Sequence, residues 1–441
     1  MLNKFPQPVI ADTGGKIHNL PSLVGAGMKG DIFYPPDTAD LIPLPECSQL
    51  FLLPDRMPVA FDPETEQCIH IAQNPLTQRE EPCFPVAAFL APGYTGTFST
   101  AFLPSYSSPA VLPLFAYTAV FFYKNDFYVP AVRVDRERRQ DPRLMDMSLL
   151  KRNVKQWQQQ FPANRLMRHL ENCALVNGCP AAKNFFLQRY EAPLPTSPSC
   201  NARCVGCISY QPEGDCPVTQ PRIEFVPTPE EVAEVALHHI RHVADPVVSF
   251  GQGCEGEPLM AGDVLIDAVR LIRARTSKGM INLNTNASRP DIVEQLCCAG
   301  LDSIRVSLNS VRPEYYDQYY RPQGYAFRDI ERSIRIVKKQ GGFVSLNYLV
   351  MPGFTDSRQE FRALKNFIKK HGIDMIQWRN MNFDPQKYFD VLQYRPEAGN
   401  LIGIGRIICD LHTEFPGLMR GYFNPSRRRI HRFFRSQSKS A

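Results

Sequence analysis

The chain has 441 residues and a formal net charge of +6, with 44% hydrophobic and 21% charged residues. This composition excludes a disordered or fibrous protein and is sufficient for two or three domains. The longest apolar run, residues 110–123, is too short to span a bilayer and contains Pro113. Residues 1–16 lack an apolar segment of the secretory kind. We therefore expect a cytoplasmic protein without membrane spans.

Residues 1–130 hold 18 of the 39 prolines, together with short apolar stretches. Prolines at this density interrupt helices and keep strands short. These features predict a small β-rich N-terminal domain over residues 1–140, whose last strand covers residues 126–134. In residues 141–190, Leu150, Val154 and Trp157 recur at helical spacing, which predicts a helical connector.

From residue 191 onwards, β-branched apolar stretches alternate with amphipathic stretches at a period of about 32 residues. This alternation predicts parallel strands with right-handed crossovers, as an open sheet or a partial barrel. The α/β core is assigned to residues 191–390, followed by a C-terminal extension with a basic tail over residues 391–441. The predicted strands are one before Cys200 and those at 246–250, 281–283, 303–308, 343–350 and 374–378. The predicted helices are 229–243, 262–275, 289–298, 326–339 and 357–370.

Three cysteines, Cys200, Cys204 and Cys207, form a C-x3-C-x2-C motif directly after the first predicted core strand. Functional groups of barrels and parallel sheets gather at the carboxyl ends of strands. Three thiolates can hold a four-iron cluster with one iron left open, whereas a fourth cysteine would close the cluster for electron transfer. Cys216 is the candidate for that fourth ligand, and no Cys/His pair of zinc-finger spacing accompanies the motif.

This motif at this position resembles that of the radical S-adenosylmethionine (SAM) superfamily, over residues 195–385. The resemblance implies an α/β fold with a partial (β/α)6 barrel and one [4Fe-4S] cluster whose open iron binds SAM. It also implies reductive cleavage of SAM to a 5′-deoxyadenosyl radical that abstracts hydrogen from a substrate. A one-electron reductant such as flavodoxin or ferredoxin is the implied partner. One departure is Gly206, since the residue before the third cysteine is often aromatic in the family.

The ends of the later strands carry further candidate ligands. Gly256, Glu257 and Pro258 are similar to the Gly-Gly-Glu-Pro segment of the family. A carboxylate in this segment can accept a hydrogen bond from the SAM ammonium group. Ordinary turn chemistry is the alternative explanation for such residues. The other candidates for cofactor binding are Asn284, Thr285, Asn286, Ser307, Asn309 and Asn347. The candidates for substrate contact on the sixth strand are Gln377, Arg379 and Asn382.

Two groups of potential metal ligands lie outside this interpretation. Cys173 and Cys179 could join cysteines of the N-terminal domain in a second cluster, although we expect a single cluster. His238, His239 and His242 share one predicted helix, for which a solvated face is favoured over a metal site.

The resemblance leaves the reaction open between peptide or protein modification, nucleic-acid modification and activation of a glycyl-radical partner. An iron–sulfur electron-transfer protein is the alternative class. Residues 420–441 carry seven basic and no acidic side chains, whereas residues 1–130 carry 12 acidic and 6 basic ones. Arginines interleaved with aromatics can bind nucleic acid, but a charge run is usually a solvated surface. A peptide, protein or small-molecule substrate is therefore favoured over nucleic acid.

Overall fold

The computed structural model describes residues 5–77, 80–212, 214 and 216–437. The N-terminal part is built from short, antiparallel strands in two sheets, as the proline content predicts. Hydrophobic faces of these strands form several small clusters rather than one large core. The strands are β1 (Gln7–Ala11), β2 (Ile17–Asn19), β3 (Val24–Gly25), β4 (Gly27–Lys29), β5 (Ile32–Tyr34), β6 (Leu41–Pro43), β7 (Gln49–Leu52), β8 (Arg56–Phe61), β9 (Cys68–His70), β10 (Phe84–Phe89), β11 (Tyr94–Gly96), β12 (Ser99–Thr100), β13 (Phe102–Pro104), β14 (Thr118–Ala119), β15 (Phe121–Tyr123) and β16 (Asp126–Arg133).

Three helices follow the N-terminal strands: α1 (Met147–Gln160), α2 (Arg165–Leu175) and α3 (Pro180–Phe186). Asp146 caps α1 by accepting a hydrogen bond from the backbone N–H of Ser148 at 2.8 Å. The apolar faces of these helices join the main hydrophobic core of the α/β part.

Seven parallel strands form the sheet of the α/β part, and their order in the sheet follows their order in the chain. The six predicted strands are present, and the partial-barrel class is confirmed. A seventh strand, absent from the prediction, lies beyond residue 390; its Met-Arg-Gly sequence is too short to show a strand pattern. The strands are β17 (Glu191–Leu194), β18 (Val247–Phe250), β19 (Met280–Thr285), β20 (Ser303–Leu308), β21 (Phe343–Val350), β22 (Met375–Asn380) and β23 (Met419–Gly421).

The five predicted core helices agree with the structure within one residue at each end. Thr228 and Glu231 form a capping box at the start of the first of them. No helix in the described part of the chain is long and apolar enough to cross a membrane. The helices are α4 (Pro229–His242), α5 (Gly262–Arg275), α6 (Pro290–Ala299), α7 (Pro313–Tyr320), α8 (Phe327–Lys339), α9 (Arg358–His371), α10 (Pro385–Val391), α11 (Ile404–Glu414) and α12 (Arg427–Gln437).

The C-terminal segment covers the amino-terminal ends of the parallel strands. Ile430 and Phe433 of α12 pack against the first residues of several strands, among them Val247 and Met280. Its arginines also make structural contacts, because Arg429 pairs with the buried Asp135 of the N-terminal part at 3.0 Å. The carboxyl ends of the strands are therefore left for the functional site.

The histidines of α4 do not form the solvated face that the sequence favours. His238 is 7% exposed and packs edge-on against Trp157 with a centroid distance of 4.4 Å, and His239 is 1% exposed. Burial lowers the pKa of His238 to about 4 and that of His239 to about 3. The solvated-face interpretation is therefore wrong for these two residues, because α4 is packed between the sheet and the connector helices.

The N-terminal part is docked against the carboxyl end of β22. Thr95 donates to the carbonyl of Trp378 at 2.9 Å, and the side chain of Asn380 accepts from the backbone N–H of Gly96. A buried ion pair joins Arg56 to Asp384 at 3.0 Å, just after the strand. These contacts place the β-rich part beside the site.

Candidate functional site

The loop after β17 carries the three motif cysteines, and hydrogen bonds fix its backbone. The Glu255 carboxylate accepts from the backbone N–H groups of Thr196 and Ser197 at 2.7 and 3.0 Å. The same carboxylate accepts from the backbone N–H of Gln252 at 2.6 Å. Burial raises the pKa of Glu255 to about 7. Glu255, which the sequence analysis did not single out, therefore ties the cysteine loop to the loop after β18.

Backbone pairing continues between these two loops. The N–H of Gly256 donates to the carbonyl of Ser197 at 2.7 Å, and the N–H of Glu257 donates to the carbonyl of Ser199 at 2.9 Å. A Cβ atom at Gly256 would lie 2.0 Å from the Ser199 carbonyl oxygen. Position 256 therefore accepts only glycine, because the two loops approach each other so closely there.

Helix α7 holds the cysteine loop from the opposite side. Its carbonyls at Tyr319 and Tyr320 accept hydrogen bonds from the N–H groups of Val205 and Arg203, both at 3.0 Å. A Cβ atom at Gly206 would lie 2.7 Å from the Tyr319 hydroxyl oxygen. The Tyr319 side chain therefore occupies the space that a larger residue at position 206 would need. The spacing of the tyrosines in residues 315–320 fits a helix, a signal that the sequence analysis did not use.

Hydrogen bonds from the turn after β19 hold the Glu257 side chain in place. Its carboxylate accepts from the Thr285 hydroxyl and from the backbone N–H of Asn286, the latter at 2.8 Å. Burial raises its pKa to about 7. The Asn286 amide in turn donates to Asn201, within the cysteine motif, at 2.9 Å. The turn after β19 thus supports both Glu257 and the cysteine loop, and a contact of Glu257 with SAM stays a prediction.

A cavity of about 500 Å³ brings most of the predicted residues together. It lies between the cysteine loop and the inner face of the sheet. The predicted residues that line it are Cys200, Cys204, Cys207, Gly256, Glu257, Pro258, Asn284, Thr285, Asn286, Ser307, Asn347 and Arg379. Asn347, whose direction the sequence left open, therefore lies on the cavity side of β21.

Three predicted residues lie outside the cavity lining. Asn309 is fully buried and donates to the carbonyl of Tyr315 at 3.1 Å. Gln377 is also fully buried and donates to Asn424 at 2.9 Å. Asn382 follows the end of β22 and is half-buried. The amide nitrogens of Asn309 and Gln377 donate hydrogen bonds within the protein, a role that their positions in the sequence do not distinguish from ligand binding.

Two arginines line the cavity on its sheet side, and only Arg379 was predicted. The Nε atoms of Arg305 and Arg379 are buried and have no hydrogen-bond partner among the described residues. Arg305 makes only long contacts, 3.4 Å each, to Gln377 and Asn424. Burial, followed by the charge of Arg379, lowers the pKa of Arg305 to about 9. The guanidinium of Arg379 stacks on the ring of Tyr422 at 3.9 Å.

Two of the motif cysteines are buried enough to disfavour a free thiolate. Burial raises the pKa of the Cys200 thiol to about 11 and raises the pKa of the Cys204 thiol well above its usual value. Thiolates at these positions therefore need a compensating cation, as a metal or cluster provides. Arg222 donates to the Cys207 sulfur at 3.6 Å. This donor set fits a cluster, and Arg222 is a further residue that the sequence analysis missed.

The candidate for a fourth cluster ligand is placed elsewhere. The Cys216 thiol is buried and donates to the carbonyls of Leu112 and Pro217, and the residue does not line the cavity. Cys179, at the start of α3, does line the cavity together with the motif. Cys179 therefore replaces Cys216 as the residue to test for closure of the cluster.

Comparison with known proteins agrees with this site. Residues 194–366 match the family model of the radical SAM superfamily. The chain is 28% identical over 193 residues to molybdenum cofactor biosynthesis protein 1 of Bos taurus, covering 43% of this chain and 28% of that protein. It is 30% identical over 167 residues to GTP 3′,8-cyclase of Cyanothece sp., covering 36% of this chain and 46% of that protein. The chain thus spans less than half the length of these relatives.

Among solved structures, the chain has a weak similarity to SuiB of Streptococcus suis bound to S-adenosylmethionine. Its TM-score is 0.36 at 14% identity, with 70% of each chain covered. Proteins of the radical SAM superfamily use a [4Fe-4S] cluster and SAM as cofactors and take electrons from an external reductant. The family match to residues 194–366, which spans the cysteine loop and the first strands of the barrel, identifies this part of the chain as a radical SAM domain.

Proposed function

We propose that this enzyme uses SAM and a single [4Fe-4S] cluster to abstract a hydrogen atom from a small anionic substrate. Cys200, Cys204 and Cys207 would hold three irons of the cluster. With the cluster and SAM bound, and with one electron from a flavodoxin- or ferredoxin-like donor, these cofactors would supply the radical chemistry that removes a hydrogen atom from a substrate C–H bond. The proposal rests on one observation: the same cavity is lined by the motif cysteines and, on its sheet side, by Arg305 and Arg379.

The arginine pair supports an anionic substrate. Arg305 and Arg379 raise the electrostatic potential of a buried cavity, and each retains a buried Nε–H without a partner among the described residues. Buried donors of this kind are costly unless a ligand satisfies them. Carboxylates and phosphates match the planar guanidinium group. A carboxylate or phosphate group bound there would relieve both the like-charge repulsion and the unsatisfied donors.

A small molecule is favoured over nucleic acid as the substrate that carries this anionic group. The cavity volume of about 500 Å³ is in the range of pockets for small ligands. Among the basic residues of the C-terminal segment, Arg427 pairs with Asp302 and Arg429 pairs with Asp135, so two arginines already neutralise acids of this chain. The relatives include proteins named for the synthesis of molybdenum cofactor and for cyclisation of GTP. Both names are consistent with small-molecule substrates.

The cluster assignment is tested by product analysis on anaerobically reconstituted protein. We expect wild-type protein with SAM and dithionite to form 5′-deoxyadenosine, and Cys204→Ala to form none and to lose the cluster absorption. Cys409→Ala is the matched control, because Cys409 is exposed on α11. Formation of 5′-deoxyadenosine by Cys204→Ala would refute the assignment.

Iron content and SAM cleavage in a Cys179→Ala variant distinguish an open cluster from a closed electron-transfer cluster. We expect Cys179→Ala to retain about four irons per chain and SAM cleavage, because three thiolates suffice for the open form. Loss of the cluster in Cys179→Ala would indicate four protein ligands and favour the electron-transfer alternative.

The anion site is tested by calorimetry with inorganic pyrophosphate and citrate in the presence of saturating SAM. We expect at least one probe to bind wild-type protein, and Arg305→Gln or Arg379→Gln to weaken it by roughly ten- to a hundredfold. Arg332→Gln, at an exposed position on α8, is the control. The SAM affinity should be the same in all variants. If the arginine variants lose SAM binding instead, the arginines hold the SAM carboxylate and the anionic-substrate proposal fails.

A further inference from the structure

A second group of metal-ligating side chains lies outside the cavity. His169, Cys173 and Cys254, here called the His169 trio, place one nitrogen and two sulfur atoms within 4.8 Å of one another. The His169 Nε2 atom is 3.4 Å from each of the two sulfur atoms. His169 and Cys173 are one turn apart on α2 and therefore share a helix face. Cys254 comes from the loop after β18.

The two nitrogen–sulfur distances of the trio match tetrahedral zinc coordination. With Zn–S bonds of about 2.3 Å and Zn–N bonds of about 2.0 Å, ligand nitrogen and sulfur atoms are separated by roughly 3.5 Å. A set of two thiolates and one imidazole favours Zn²⁺ over Mg²⁺ or Ca²⁺, which prefer oxygen ligands. Three protein ligands leave one tetrahedral position for a water molecule.

The trio is also fixed by its surroundings. Cys173 and Cys254 are 1% and 3% exposed, so their thiols are removed from solvent. The carbonyl of Cys254 accepts from the backbone N–H of Ile223 at 2.7 Å, which holds the loop in place. The ordinary alternative is a pair of thiol–imidazole hydrogen bonds. Hydrogen bonding explains either thiol–imidazole contact taken alone. It does not explain why two thiols from separate segments both lie next to the same His169 nitrogen.

We propose that the His169 trio binds one zinc ion, distinct from the iron–sulfur cluster. The ion would join α2 of the connector to the loop after β18. Cys254 directly precedes Glu255, so the ion would fix the loop that supports the cysteine motif through Glu255. From the sequence, a second cluster of Cys173, Cys179 and N-terminal cysteines was considered, but a single cluster was favoured. In the zinc site proposed here, Cys173 has different partners, His169 and Cys254.

The proposal is tested by elemental analysis of anaerobically purified and reconstituted protein. We expect about one zinc and about four irons per chain in the wild type. Cys173→Ser and His169→Gln should each lose the zinc while keeping the four irons and the cluster absorption. Cys298→Ser, at an exposed position on α6, is the control and should keep both metals. These readouts do not depend on turnover.

A spectroscopic measurement covers the case in which a variant fails to fold. Wild-type protein purified from zinc-depleted, cobalt-supplemented cells should show the intense visible absorption of tetrahedral cobalt bound to thiolate. Four results would each overturn the proposal: no zinc in the wild type, zinc retained by Cys173→Ser, additional iron in place of zinc, or a Cys173–Cys254 disulfide in freshly isolated protein.

Discussion

Glu255 holds the cysteine loop in place through hydrogen bonds to the backbone, although its side chain makes no hydrogen bond to a cysteine of the motif. Its carboxylate accepts three backbone N–H groups, from Thr196, Ser197 and Gln252, at 2.6 to 3.0 Å. Glu255→Ala removes both acceptor oxygens and leaves all three backbone N–H donors without this partner. Glu255→Gln keeps one amide oxygen and replaces the other acceptor with an NH2 donor. Glu255→Ala therefore removes more of the hydrogen bonds that hold the loop than Glu255→Gln does.

The free-energy cost of Glu255→Ala follows from the number of buried N–H donors that lose their hydrogen-bond acceptor. A buried donor without a partner costs about 1–3 kcal/mol, so three donors cost about 3–9 kcal/mol in a rigid loop. The loop avoids part of this cost by opening to water. We therefore expect local opening of the cysteine loop to become easier by at least about 3 kcal/mol, which is roughly a hundredfold in the opening equilibrium.

Hydrogen–deuterium exchange measures this opening directly. Amides in residues 196–207 of Glu255→Ala should lose protection by roughly a hundredfold or more, with Glu255→Gln between that variant and the wild type. Iron content after gel filtration should fall in the same order, because the loop carries the motif cysteines. Glu224→Ala, an exposed glutamate before α4, is the matched control.

One result would refute this reasoning. If Glu255→Ala exchanges in residues 196–207 as slowly as Glu224→Ala and retains full iron, then other contacts fix the loop. The α7 carbonyls would be the next contacts to test.

Three further predictions follow from buried charges and hydrogen bonds. Glu257→Ala should weaken SAM binding by roughly ten- to a hundredfold in titrations while leaving the cluster spectrum unchanged, and unchanged affinity would leave Glu257 a structural role only. The folded state favours neutral His238, so the unfolded chain binds its proton first and stability is lost as the pH falls below 6.5. From pH 7.5 to pH 5 this residue should cost about 2 kcal/mol in urea unfolding, a loss that His238→Phe should remove. Arg429→Ala leaves Asp135 buried without its cation and should cost about 3–5 kcal/mol, seen as a lowered melting temperature, whereas exposed Arg428→Ala should have little effect. Equal melting temperatures would contradict the structural role of this pair.

The local pattern of the sequence predicted the secondary structure of the α/β part. Alternating apolar strands and amphipathic helices set the parallel order, and local signals such as the Thr228 capping box fixed helix ends within one residue. The cysteine motif was equally local, because its three ligands lie within eight residues. Elements with weak local signals were missed. The three residues of β23 show no strand pattern, and the tyrosines of α7 were not interpreted as a helix.

Contacts between distant segments decided the rest. No sequence pattern pairs His169 with Cys254 or places Arg305 in the same cavity as the cysteine motif. It also could not separate Asn347, which lines the cavity, from Asn309, which hydrogen-bonds within the wall. Both are polar residues near strand ends, and their environments differ only after the strands are aligned and the helices packed. The sequence by itself therefore determined the resemblance to the family and the order of the core strands, and it supplied the motif on which the proposed cluster ligands rest. Tertiary structure decided which side chains share the cavity, because that depends on strand register and on packing between segments far apart in the chain.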